Sequence, residues 1–197
     1  MPTTILLTRH GKTAANLLNR FAGRTVEPLH QQGLAQITDV AKKLQGKDIK
    51  AIYAGPLPRT SHSAEIISEI TGAKIHLCEA FNEIRIPHWD GLSKEEITNN
   101  FGNEYPTWLS APEKFKLPGC ETISQVQKRA VAEIEQIFIE RAGEVVVVVS
   151  HLIVIRSLVL YYRQKPINKF RSIKIDNGSI SQLSRRDDNR TEVSLDV

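Results

Sequence analysis

Two apolar runs near opposite ends of the chain, each breaking on a histidine, constrain the fold more than any other feature. Ile5-Leu6-Leu7-Thr8 leads into Arg9-His10-Gly11, and Val145-Val146-Val147-Val148-Val149 leads into Ser150-His151. Neither run alternates apolar with polar residues, so each reads as a buried strand. Polar groups just past such strands stand where open α/β sheets bind ligands, outside the carboxyl ends. The expectation is therefore one site built from both ends of the chain. At 197 residues the chain is long enough for a sizeable core, and a single domain over 1–197 is expected.

The stretch between the two runs supports an α/β reading. From Gln31, the residues Leu34, Ile37, Ala41 and Leu44 recur at helical spacing until Gly46. Ala51 to Ala54 is a short β-prone run. A helix then starts at Pro58, where a missing N–H costs nothing, and runs to about Thr71 before Gly72. Ile75 to Cys78 is another short strand. Thr13 to Asn19 is expected as a short helix, with Gly11 permitting a sharp turn ahead of it. The β-α-β-α-β order predicts a parallel sheet with right-handed crossovers. Thr122 to Arg141 carries an apolar stripe of Ile123, Val126, Ala130, Ile134 and Ile137, and His151 to Tyr162 is a further helix. Ser179–Ser184 and Thr191–Leu195, joined by Arg185–Arg190, predict an antiparallel edge. The fold expected is a three-layer α/β/α sandwich, mostly parallel with that antiparallel edge. Residues 79–121 are rich in proline and contain Trp89 and Trp108, which predicts a cap or lid with short helices at Ser93–Phe101 and Glu104–Leu109.

Several chemistries are excluded. Cys78 and Cys120 have neither disulfide-framework nor metal-ligand spacing, and no His-Glu-x-x-His exists. No Gly-x-Gly-x-x-Gly is present, and Gly46-Lys47 lacks the upstream glycine of a P-loop. A net charge of +4 fits an anionic ligand, but both signs are mixed along the chain, so no nucleic-acid partner is expected. No window approaches the roughly 18 apolar residues of a membrane span, and no signal pattern precedes Arg9, so a cytoplasmic location with no membrane partner is expected.

The remaining polar residues suit phosphorus chemistry. Arginine offers planar, multi-donor hydrogen bonds to phosphate oxygens. Histidine serves as nucleophile or as acid–base near neutral pH. Arg9, His10, Arg59 and His151, with a helix start nearby, would make a phosphoryl pocket. Each residue alone is more often a cap or a surface group; it is the repetition at equivalent strand ends that favours a site. His30, His62, His76 and His88 lack that support and read as packing or surface residues.

Taken in order, these residues resemble the histidine phosphatase family, also called phosphoglycerate mutase-like. Arg9-His10-Gly11-Lys12-Thr13 is similar to its opening motif, with Asn16 and Arg20…Gly23 following. Ala54-Gly55-Pro56-Leu57-Pro58-Arg59-Thr60 resembles its second arginine motif. Asn82-Glu83-Ile84 with Trp89-Asp90-Gly91 resembles its acidic loop. Pro118-Gly119-Cys120-Glu121-Thr122 and Ser150-His151-Leu152-Ile153-Val154-Ile155-Arg156 complete the set. The chain departs from the pattern at Lys12, for a common glutamate, at Leu152 and Cys120, for glycines, and at Pro87-His88 in the acidic loop.

The resemblance implies a phosphohistidine mechanism. His10 would attack phosphorus, its other ring nitrogen keeping a proton on a backbone carbonyl. Arg9, Arg59 and His151 would clamp the phosphoryl oxygens, Thr13 and Asn16 would add hydrogen bonds, and Leu152 would line the same pocket. Glu83 would protonate the leaving alkoxide and then deprotonate the attacking water. The activity implied is a metal-independent phosphomonoesterase without cofactor. It would act on a small phosphorylated metabolite such as phosphoserine, α-ribazole phosphate or a sugar phosphate. A cofactor-dependent phosphoglycerate mutase is the alternative enzyme, and a non-catalytic phosphate-binding module is the alternative from another class. Homodimer formation is left open. Lys12, Leu152 and the Trp89–Trp108 cap are expected to select the substrate.

Overall fold

The computed structural model describes residues 1–186 and 190–197. Its sheet has six strands: β1 (Thr3–Arg9), β2 (Ile49–Ala54), β3 (Lys74–Leu77), β4 (Val145–Ser150), β5 (Ile180–Arg185) and β6 (Thr191–Leu195). Their order is β3-β2-β4-β1-β5-β6. The first four are mutually parallel, and β5 and β6 run antiparallel at one edge. β4 lies between β1 and β2, which is why its five valines carry no alternation. Of the connection expected between the last two strands, Asp187, Asp188 and Asn189 lie outside the described residues.

Alternate side chains of each strand feed different layers. Ile5, Leu7, Ala51, Tyr53, Val146 and Val148 pack with α6 (Ile123–Glu140) and α7 (Leu152–Tyr162). Leu6, Ile52, Ala54, Val147 and Val149 pack instead with α2 (Gln31–Leu44) and α3 (Pro58–Thr71). The result is a three-layer α/β/α sandwich.

Helix ends follow local chemistry. Thr122 caps α6 through Gln125 in a reciprocal capping box, and Gly72 closes α3 with φ 72°. His30 caps α2, its side chain accepting from the Gln32 N–H. Residues 79–121 carry α4 (Lys94–Phe101) and α5 (Glu104–Ser110), capped by Ser93 and preceded by Asn103. The segment is anchored by a ring cluster: Trp89 is fully buried and meets Phe21, Tyr105, Trp108 and Phe115 at centroid distances of 5.0–6.0 Å.

Three expectations change. The first helix, α1, is only Ala14–Leu17, because Asn19 adopts φ 53° and ends it. Gly11 is not a positive-φ turn. A Cβ there would stand 2.4 Å from the Gly33 carbonyl oxygen, so glycine serves close backbone packing. β2 starts two residues earlier than expected, at Ile49, through a register shift against β4.

Candidate active site

The sheet register brings the two histidines together. Arg9 pairs with Ser150 across β1 and β4, so the residue after each strand falls at the same edge. The rings of His10 and His151 lie 5.2 Å apart at 61°. His10 is also held by its backbone: its N–H donates to the Ser150 carbonyl at 3.0 Å, and its own carbonyl accepts from Asn177 Nδ2 at 3.0 Å. His10 Nδ1 lies 2.7 Å from the Gly11 carbonyl oxygen. A carbonyl only accepts, so Nδ1 carries the proton and the lone pair is on Nε2. Burial, reinforced by Arg59 and Arg9, holds the His10 pKa well below the usual imidazole value, which keeps the ring neutral.

His151 caps α7 with its backbone but not its side chain, and it is fully buried. Among the described residues both of its ring nitrogens lack a hydrogen-bond partner, and burial followed by the Arg59 charge depresses its pKa strongly. Arg59 comes from the first turn of α3. It donates to the Thr25 carbonyl at 3.0 Å and the Gly23 carbonyl at 2.5 Å. Arg9 donates to the Ile175 carbonyl at 2.9 Å. The Nε atoms of both arginines are buried without a partner among the described residues. Burial lowers the pKa of both, that of Arg9 to about 10, so Arg9 remains a cation at neutral pH.

Glu83 reaches the same cavity from the loop after β3. Its Oε1 accepts from the Ile84 N–H at 2.8 Å, yet burial raises its pKa overall. Its main chain is clamped: Arg24 Nε and Arg129 Nη2 donate to the Glu83 carbonyl at 2.8 and 3.3 Å. Glu121 organises both arginines, accepting from Arg24 Nη2 at 3.0 Å and Arg129 Nε at 2.9 Å. It also accepts the Arg85 N–H at 2.9 Å. Nothing in the sequence context of Glu121 reveals that it sits behind Glu83.

The cavity measures about 400 Å³ and is lined by Arg9, His10, Asn16, Arg59, Glu83 and Leu152, among others. Thr13 and His151 do not line it. Thr13 is fully buried as the α1 cap, accepting from Asn16 N–H at 3.4 Å, while Asn16 Oδ1 accepts from Thr13 N–H and from Asn177 Nδ2. Nor does Lys12 line the cavity, and Trp89 is a core residue; of the expected selectors, Leu152 and Trp108 do line it. His88, expected as a packing residue, pairs with Glu104 at 2.6 Å. Among the described residues no group of three or more histidine, cysteine, aspartate or glutamate side chains is placed to hold a metal ion. None of the described helices is long and apolar enough to cross a membrane.

This fold and this pair of facing histidines match a known family. The model of the histidine phosphatase superfamily, branch 1, matches residues 5–197, and the chain belongs to that superfamily as an enzyme of the phosphatase class. It is 25% identical over 193 residues to phosphoserine phosphatase 1 of Hydrogenobacter thermophilus, covering 98% of this chain and 92% of the relative. Bacillus stearothermophilus YhfR superposes with a TM-score of 0.93 at 26% identity, covering 98% of this chain and 96% of that one. The Entamoeba histolytica phosphoserine phosphatase in complex with 3-phosphoglyceric acid superposes at 0.87 with 25% identity, covering 99% and 97%. The fold is thus phosphoglycerate mutase-like.

Proposed function

We propose that this protein is a metal-independent phosphomonoesterase that hydrolyses a small phosphorylated metabolite through a phosphohistidine on His10. The observation that carries this reading is the neutral, buried His10, its Nδ1 held by the Gly11 carbonyl at 2.7 Å within a cavity shared with Arg9, Arg59 and Glu83. His10 Nε2 attacks phosphorus, and the bond from phosphorus to the ester oxygen breaks. Glu83, its pKa raised, gives its proton to the departing alkoxide. Water then attacks the phosphohistidine and Glu83 takes its proton back. The P–N bond breaks, its electron pair returns to Nε2, and inorganic phosphate leaves.

Arg9 and Arg59 meet the phosphoryl oxygens with Nε donors that have no partner among the described residues, and His151, behind the cavity wall, offers unpartnered ring nitrogens with its ring 5.2 Å from that of His10. Asn16 adds a polar contact from the cavity wall, Leu152 shapes its entrance, and Thr13 supports Asn16 from behind. Fixed arginines supply the charge stabilisation that a metal ion provides elsewhere. The relatives named as phosphoserine phosphatases, one of them holding 3-phosphoglyceric acid, support a small phosphorylated acid as substrate. Residues 79–121 act as the cap of a single domain. The decisive experiment is phosphate release from O-phosphoserine, α-ribazole phosphate, sugar phosphates and 3-phosphoglycerate, with and without EDTA. Phosphate release that persists in EDTA is expected. Isomerisation of 3-phosphoglycerate without phosphate release would replace the reading with a mutase, and binding without turnover would replace it with a binding module.

A further inference from the structure

The cavity that holds His10 contains a second pair of cations that the proposed reaction does not use. Arg156, from α7, and Arg171, from the 3-10 turn Ile167–Ser172, both line it. Arg156 is half-buried and pinned at two points. Its Nε donates to the Ile173 carbonyl at 2.6 Å, and its guanidinium lies 5.4 Å from the centre of the Phe170 ring. That fixes the planar fork in one orientation. Among the described residues neither arginine forms an ion pair. The other cations of this wall differ: Arg20 pairs with Glu96 at 3.2 Å, and Lys94 donates to Asn19. Burial, then the charge of Arg171, lowers the Arg156 pKa to about 10. Two guanidiniums without an ion-pair partner in one cavity repel each other, an effect that the charge of Glu83 on the same cavity opposes and a bound anion relieves further.

We infer that Arg156 and Arg171 form a second anion subsite, so that the substrate carries a carboxylate or a second phosphate besides the phosphoryl group transferred to His10. The phosphatase reading determines only which end reacts; the subsite itself stands on these two arginines. Tyr105, Trp108 and Phe170 line the same cavity, and such apolar walls strengthen the pairing of an anion with arginine. A volume of about 400 Å³ suits a small metabolite with two charged ends.

The test measures binding without turnover. Butylphosphonate, phosphonobutyrate and butane bisphosphonate share a non-hydrolysable phosphonate and differ only at the far end. Calorimetry on the wild type should show the doubly anionic ligands binding about tenfold tighter, the scale of one charge-assisted contact. An advantage for the carboxylate identifies a phosphorylated acid, and an advantage for the second phosphonate identifies a bisphosphate. Arg171→Ala, at an exposed position, should remove most of that advantage, and Arg171→Lys should restore part of it. Equal affinity for all three ligands, or an advantage unchanged in Arg171→Ala, overturns the subsite. Hydrolysis of p-nitrophenyl phosphate, followed in parallel, reports separately on the phosphatase reading. A protein that shows the binding preference but no hydrolysis loses that reading and keeps the subsite.

Discussion

The two halves of the proposed catalytic apparatus are held by different forces. At the strand ends, His10 and His151 are positioned by backbone: the β1–β4 register, the hydrogen bond from His10 to Ser150, and the contact of Gly11 with Gly33. In residues 79–121, Glu83 belongs to no strand. Its place depends on side chains, with Arg24 and Arg129 gripping its carbonyl and Glu121 gripping both. A ladder of main-chain bonds tolerates most side-chain changes. A clamp of three side chains fails when one is removed, because partly buried charges lose their partner. The proposed nucleophile is thus robust to neighbouring substitutions, and the proposed proton donor is sensitive to a residue outside the cavity lining.

The largest expected effect breaks the comparison at its rigid end. His10→Ala should lower phosphatase turnover on the order of a thousandfold or more, since the group that forms the intermediate is gone. Unchanged steady-state turnover in that variant sinks the mechanism. Next comes Glu83→Gln, which should cost about a hundredfold or more with alkyl phosphates and much less with p-nitrophenyl phosphate, whose leaving group needs no proton. A pH profile carries the sign. Glu83 donates while protonated, and its pKa is raised, so kcat for an alkyl ester falls as pH climbs through that raised value. His10 attacks while neutral, and its pKa is depressed, so activity persists as pH falls past 6.5. In Glu83→Gln the alkaline limb should vanish; a limb that remains assigns it to another group.

Glu121→Gln tests the clamp itself. Loosening both arginines should lower kcat for alkyl esters about ten- to a hundredfold, the scale of a misplaced catalytic group, with KM little changed. If alkyl and p-nitrophenyl esters suffer equally, the effect is on the fold and not on Glu83. The smallest effect sharpens the other end: Thr13→Ala should lower unfolding free energy by about 1 kcal/mol through loss of the α1 cap. A large rise in KM with unchanged stability would instead make Thr13 a direct ligand.

Legibility in the sequence follows the same division. The strand ends were readable because a buried strand needs an uninterrupted apolar run, and a polar residue just past it has few other places to be. The α3 boundaries were readable from Pro58 and Gly72, whose backbone preferences are local. The role of Gly11 is not legible in this way, because its partner Gly33 lies 22 positions away and close backbone approach leaves no local mark. Glu121, Arg24, Arg129 and Asn177 were silent for a related reason. Each is an ordinary polar residue whose meaning comes from partners distant in sequence.

By itself the sequence determined the layers and the mostly parallel sheet, because hydrophobic periodicity acts over short stretches, and its motif order picked out Arg9, His10, Arg59 and Glu83, which the structure gathers at one cavity. Only the tertiary structure decided that β4 inserts between β1 and β2, since strand order depends on packing across the whole sheet. It also decided which nitrogen of His10 is free, where Thr13 and Lys12 stand relative to the cavity, and that Arg156 and Arg171 share the cavity with no ion-pair partner among the described residues. These depend on distances between side chains far apart in the chain, which folding alone brings together.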